Sequence, residues 1–87
     1  MSLNTFLEFC TLAFKHNAKT TKRTEAEYIA VFYPPFSNAQ NLMIELEELL
    51  YNATDEGETL ANLVYDGAII DMVFDEMHEF CEIVFIP

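Results

Sequence analysis

Eighty-seven residues leave room for one hydrophobic core, and a chain of this size buries only about 60–65% of its unfolded surface, so its stability margin is expected to be slim. A hydrophobic fraction of 52%, with eight Phe and four Tyr, excludes a disordered acidic tail, and a net charge of −11 argues against direct contact with nucleic acid or anionic membranes. That charge is segregated: Lys15, Lys19, Lys22 and Arg23 are the only cations, while residues 37–87 carry twelve carboxylates and no Lys or Arg.

The start, Met1-Ser2-Leu3-Asn4, lacks the positive region of a signal peptide, and Glu8 interrupts the first apolar stretch. Residues 3–16 read as an amphipathic helix. Leu3, Phe6, Leu7, Cys10, Ala13 and Phe14 form its apolar stripe, Thr5-x-x-Glu8 fits a capping box, and Lys15 and His16 suit the C-terminal end of its dipole. Phe9 and Leu12 fall off that stripe and either widen the core face or stay exposed as a contact patch. Residues 18–25, polar and rich in Thr, read as a loop. Tyr28-Ile29-Ala30-Val31-Phe32-Tyr33 is β-branched and aromatic without a helical stripe, and Pro34-Pro35 stops it, as expected of a strand buried on both faces.

Ser37 or Asn38 caps a second helix ending near Asn52, with Leu42, Leu46, Leu49 and Leu50 inward, extended by Met43 and Ala53, and Asn41, Glu45 and Glu48 outward. Asp55-Glu56-Gly57 marks a turn. Two readings compete beyond it. Asp66-Gly67 between two apolar triplets is a hairpin signal, whereas Ile69, Ile70, Val73, Phe74, Met77, Phe80 and Cys81 keep a helical period. The doublets at 69/70 and 73/74 break strict alternation. The preferred reading is therefore a helix over 59–66, an αL cap at Gly67 and a further helix over 68–80. The charge-free close Ile83-Val84-Phe85-Ile86 reads as a strand beside residues 28–33. The expected fold is a single α+β domain over residues 1–87, with three to four helices on a sheet of two to three strands.

On a helix over 68–80, Asp71, Asp75, Glu79 and Glu82 share one face about 5–6 Å apart along the axis. Duplex DNA places one charge per about 1.7 Å of axis, so one such helix is too sparse to imitate it; a second, bearing Glu45 and Glu48, with Asp55, Glu56 and Glu58 between them, approaches the density of a single strand. Solvated charge runs usually mix signs, and this one does not. The expected partner-binding set is Glu45, Glu48, Asp55, Glu56, Glu58, Asp71, Asp75, Glu79 and Glu82, with Tyr51 and Tyr65 as apolar anchors and Phe9, Tyr33 and Phe36 as further exposed aromatics.

Other chemistries find little footing. His78 with Asp75 supplies one carboxylate-x-x-His pair where a bundle di-metal site needs two, and Asp55–Glu58 is too short for a calcium loop. With Gly57 and Gly67 the only glycines, there is no phosphate-binding loop, and Cys10 and His16 fall on different helical faces. No metal, cofactor or enzymatic activity is expected. The basic patch pairs with Glu8, Glu25, Glu27 or the acidic half. Cys10 and Cys81 read as reduced thiols of a cytoplasmic protein; a bridge between them requires the terminal segments to pack together.

In size, acidity and lack of catalytic motifs the chain resembles the small acidic inhibitors: phage and plasmid DNA mimics, anti-restriction and anti-CRISPR proteins, and acidic immunity proteins that neutralise nuclease toxins. The resemblance is compositional. It implies a non-enzymatic inhibitor of a basic nucleic-acid-binding protein (a nuclease, restriction or CRISPR effector, or polymerase). The alternatives are an antitoxin-type inhibitor and a self-assembling structural protein, such as a homodimer.

Overall fold

In the computed structural model, residues 3–52, 60 and 68–87 are described. They comprise α1 (Leu3–Lys15), β1 (Thr20–Arg23), β2 (Tyr28–Phe32), α2 (Ser37–Asn52), β3 (Ile69–Phe74) and β4 (Cys81–Ile86). The four strands form one antiparallel sheet in the order β1-β2-β4-β3. The α+β class is as expected, but the proportions differ: there are four strands and two helices among these elements.

The sheet is built around its two least polar segments. β2 and β4 pair from Tyr28 opposite Phe85 to Phe32 opposite Cys81. Strand residues alternate between faces, so Tyr28, Ala30 and Phe32 point the same way as Cys81, Ile83 and Phe85, and all six are buried. Both helices pack on this side, α1 over β1 and β2, α2 over β3 and β4. Phe9 and Ala13 of α1, and Ala39, Leu42 and Leu46 of α2, complete the core with Leu60. No described element covers the other face of the sheet, although Ile29 and Val84 at its centre are buried.

The facing of α1 departs from the expected stripe. Phe9 is fully buried, whereas Leu7 and Phe14 are about half exposed. The buried line runs through Thr5, Phe9 and Ala13, about a quarter turn from the expected one. The reason lies on the sheet. Phe9 stacks on Tyr28 at 5.7 Å between ring centroids, Tyr28 stacks on Phe85 at 5.8 Å, and Thr5 Oγ1 lies 2.7 Å from the Tyr28 hydroxyl. A helix with apolar residues nearly all round takes its facing from what it meets. Thr5 is thus a core residue rather than a cap, and Glu8 accepts the Leu60 amide at 2.9 Å instead of closing a capping box. The helix ends on Asn17 at φ 66, a left-handed position that Asn tolerates, with the Ala18 amide bonded back to Ala13 O at 3.0 Å.

Two strands depart from the preferred reading, although the competing hairpin reading placed an extended run at 68–70. β1 occupies part of the supposed loop 18–25; being an exposed edge it needs no apolar residues, and β-branched Thr20 and Thr21 suit the ladder. Thr24 Oγ1 accepts the Ala26 and Glu27 amides and tightens the turn into β2. β3 replaces the first half of the supposed helix 68–80, and residues 75–80 form the turn into β4. The helical period misleads here because β3 is apolar on both faces: Ile70 and Met72 pack against the core while Ile69 and Val73 face outward. The Asp66-Gly67 hairpin signal and the expected helix over 59–66 lie outside the described residues, apart from Leu60.

Candidate protein-binding surface

The loss of a helix over 68–80 removes the expected stripe of carboxylates. Four residues of strand advance about 13 Å, against about 6 Å in a helix, so Asp71 and Asp75 are spread along β3 and its turn rather than stacked. Asp71 lies on the open face of β3, Glu79 is exposed in the turn, and Glu82 lies on the open face of β4. Glu48 is exposed on α2, whose last turn includes Tyr51. Asp55, Glu56, Glu58 and Tyr65 lie outside the described residues.

Several of these carboxylates already have internal partners. Glu45 bridges the two helices: Lys15 Nζ donates to its Oε1, and His16 Nε2 to its Oε2 at 2.7 Å. The Lys15 bond, then the His16 bond, hold the Glu45 carboxyl below its usual range. Glu82 meets Lys22 at 3.5 Å across the open face. Asp75 closes the turn, with Oδ1 accepting the Glu79 amide at 2.6 Å and the Phe80 amide at 3.1 Å, and Oδ2 accepting the Met77 amide at 3.4 Å. Burial pushes the Asp75 carboxyl up, but those amides and the nearby His78 outweigh it and leave it below the usual aspartate range. Asp75 therefore belongs to the turn rather than to a docking surface.

Apolar side chains accompany these acids, and all but Tyr33 belong to the stripe expected on a helix over 68–80 or lie beside it. Ile69 is 58% exposed, Val73 44% and Met77 75%, and Phe74 and Tyr33 are also exposed. On this face Ile69, Asp71 and Val73 alternate along β3 beside Ile86, Val84 and Glu82 of β4, of which Val84 is buried. Asp71 and Glu82 punctuate this strip, and Glu76 and Glu79 are exposed in the turn that follows β3. The signal for it was the two-residue period shared by 69/71/73 and 82/84/86. Of the aromatics expected to be exposed, Tyr33 is; Phe9 is core, and Phe36 is half-buried edge-on to Phe74 at 5.2 Å.

His78 sits at φ 54 in the β3–β4 turn, its ring against Phe74 at 5.5 Å, and not one helical turn from Asp75. No group of three His, Cys, Asp or Glu side chains suited to hold a metal forms among the described residues. Both cysteines are free: Cys10 Sγ lies 3.2 Å from Thr21 Oγ1, while Cys81 is in the core, where burial and then Glu82 push its thiol up. No helix among the described residues is long and apolar enough to cross a membrane. Comparison of the chain with family models, with curated proteins and with solved structures finds no match in any of the three.

Proposed function

We propose that this protein is a non-enzymatic inhibitor that binds a basic nucleic-acid-handling protein and covers the surface that would otherwise hold phosphates. The observation that carries the reading is the acid-bordered apolar strip on the β3–β4 hairpin, within a region of 51 residues that has no Lys or Arg. Long-range attraction from the carboxylates would speed encounter with a cationic surface, and Ile69, Val73 and Met77 would supply short-range affinity. Asp71, Glu76, Glu79 and Glu82 carry the acidic side of the contact. The irregular spacing of these acids favours matching a basic protein surface over copying the phosphate repeat of DNA.

The immobilised chain, exposed to lysate of its native host and eluted by a salt step, tests this. A basic nucleic-acid-binding protein that leaves at moderate salt and is displaced by added DNA or RNA is the expected result. Recovery of the chain itself and nothing else would favour self-assembly, a reading that the same exposed apolar side chains also supply with a surface.

A further inference from the structure

The outer edge of β3 has a defined hydrogen-bonding phase. The Asp75 amide donates to Phe80 O at 3.2 Å, so the main chain of Asp75 faces β4. Antiparallel ladders alternate, which turns Val73, Asp71 and Ile69 toward β4 and Ile70, Met72 and Phe74 away from the sheet. The Met72 amide agrees with this phase: with no strand beside it among the described residues, it donates to Asp71 Oδ1 at 2.9 Å.

The two edges of the sheet differ in charge. β1 carries Lys22 and Arg23 and no acid; Lys22 is tied to Glu82, and Arg23 lies 5.7 Å from the Phe6 ring centroid. β3 carries Asp71 and no cation, and Asp75, Glu76 and Glu79 follow in its turn. Natural edge strands are commonly guarded by Lys, Pro or a bulge, because unpaired main-chain groups recruit other strands. β3 is six residues long and has neither Lys nor Pro. Among the described residues its one guard is the Asp71 carboxylate over the Met72 amide.

We infer that β3 receives an extended cationic segment of the partner as an added strand, in the order β1-β2-β4-β3-partner. This rests on the reading that the partner is basic. The outward groups of Ile70, Met72 and Phe74 bond the incoming main chain. On the open face an incoming Lys or Arg sits beside Asp71, with apolar side chains beside Ile69 and Val73. The Asp71 carboxylate moves from the Met72 amide to that cation, and a partner carbonyl takes the amide in its place. Main-chain bonds give affinity in such additions, and alternate side chains give selectivity. A second copy of this chain fits poorly. Its β1 would bring Thr20 and Lys22 to the open face without apolar neighbours, its β3 would bring another carboxylate, and each copy adds a charge of −11.

The test uses the whole protein and two capped synthetic peptides, Thr-Val-Thr-Arg-Thr-Val-Thr and its counterpart with Glu in place of Arg, followed by NMR and amide hydrogen exchange. Exchange at Ile70, Met72 and Phe74 should slow on adding the Arg peptide, which should bind at least about tenfold more tightly than the Glu peptide. Asp71→Asn should remove that preference while the exchange protection persists. Peptide contacts elsewhere with unchanged exchange at these three amides would overturn the proposal, as would equal binding of the two peptides. Protection already present without peptide, together with a mass that rises with concentration, would assign the edge to a second copy instead. A captured basic partner whose affinity survives Asp71→Lys would refute strand addition and leave the inhibitor reading standing. Peptide addition at β3 with no basic partner captured would do the reverse.

Discussion

The Asp75 carboxylate accepts amides from Glu79, Phe80 and Met77, doing for the β3–β4 turn what a cap does for a helix end. Its carboxyl is held below its ordinary value in the folded chain, which fixes the sign of its pH dependence. The stabilisation is complete above the unfolded value of about 4 and is lost as pH falls through the lower folded value. Asp75→Asn keeps one acceptor oxygen but loses the charge. The variant should melt below the parent at pH 7, and the gap should close in melts taken progressively below pH 4. A gap that stays constant to pH 2 would show that the charge adds nothing to the turn. Glu45 obeys the same sign, because Lys15 and His16 lower it. Its pairs lie near the surface, so Glu45→Gln should cost no more than about 1 kcal/mol in a urea titration at pH 7.

At the scale of elements, the facing of α1 offers the sharpest check. Phe9 touches Tyr28 and Phe85 and is fully buried, so Phe9→Ala should cost about 3–5 kcal/mol by denaturant unfolding. Leu7→Ala, on the exposed side, should stay within about 0.5 kcal/mol. The reverse order would mean that the helix faces as its sequence alone implies. That contrast shows what was legible. The extents of both helices could be read because a sustained apolar period and the Pro34-Pro35 stop are local signals. The pairing of β2 with β4 could be read because residues 28–32 and 83–86 are short, charge-free runs rich in β-branched and aromatic side chains. β1 could not, and of β3 only the start at 69–70 was covered, by the hairpin alternative. Their stabilisation comes from partners distant in sequence, and Ile69, Ile70, Val73 and Phe74 fit a helical stripe as well as they fit a strand apolar on two faces. The candidate surface shares that fate: Asp71 and Glu79 are exposed and Glu82 partly so, but their spacing follows from the strand and turn geometry. Local sequence gave no hint that Asp75 closes a turn or that Glu45 ties two helices.

For the molecule as a whole, fifteen carboxylates against four cations set up two opposed responses to salt. Screening weakens the ion pairs Lys15–Glu45 and Lys22–Glu82, each partly exposed and worth at most about 1 kcal/mol. The same screening relieves repulsion among the acids, which falls off over about 10 Å at 0.1 M ionic strength and acts throughout a domain this small. The imbalance of eleven charges decides between them. Raising NaCl from 20 to 200 mM at pH 7 should therefore stabilise the free protein, and each 1 kcal/mol gained should lift the Tm by about 4–8 °C. The same step should slow association with a basic partner, since the charges that strain the free fold are those that draw the partner in. Thermal melts and stopped-flow association in one salt series test both halves together. A Tm that falls with salt would mean that the ion pairs outweigh the crowding. An association rate indifferent to salt would mean that the acidity serves the fold's solvation and does not steer a partner.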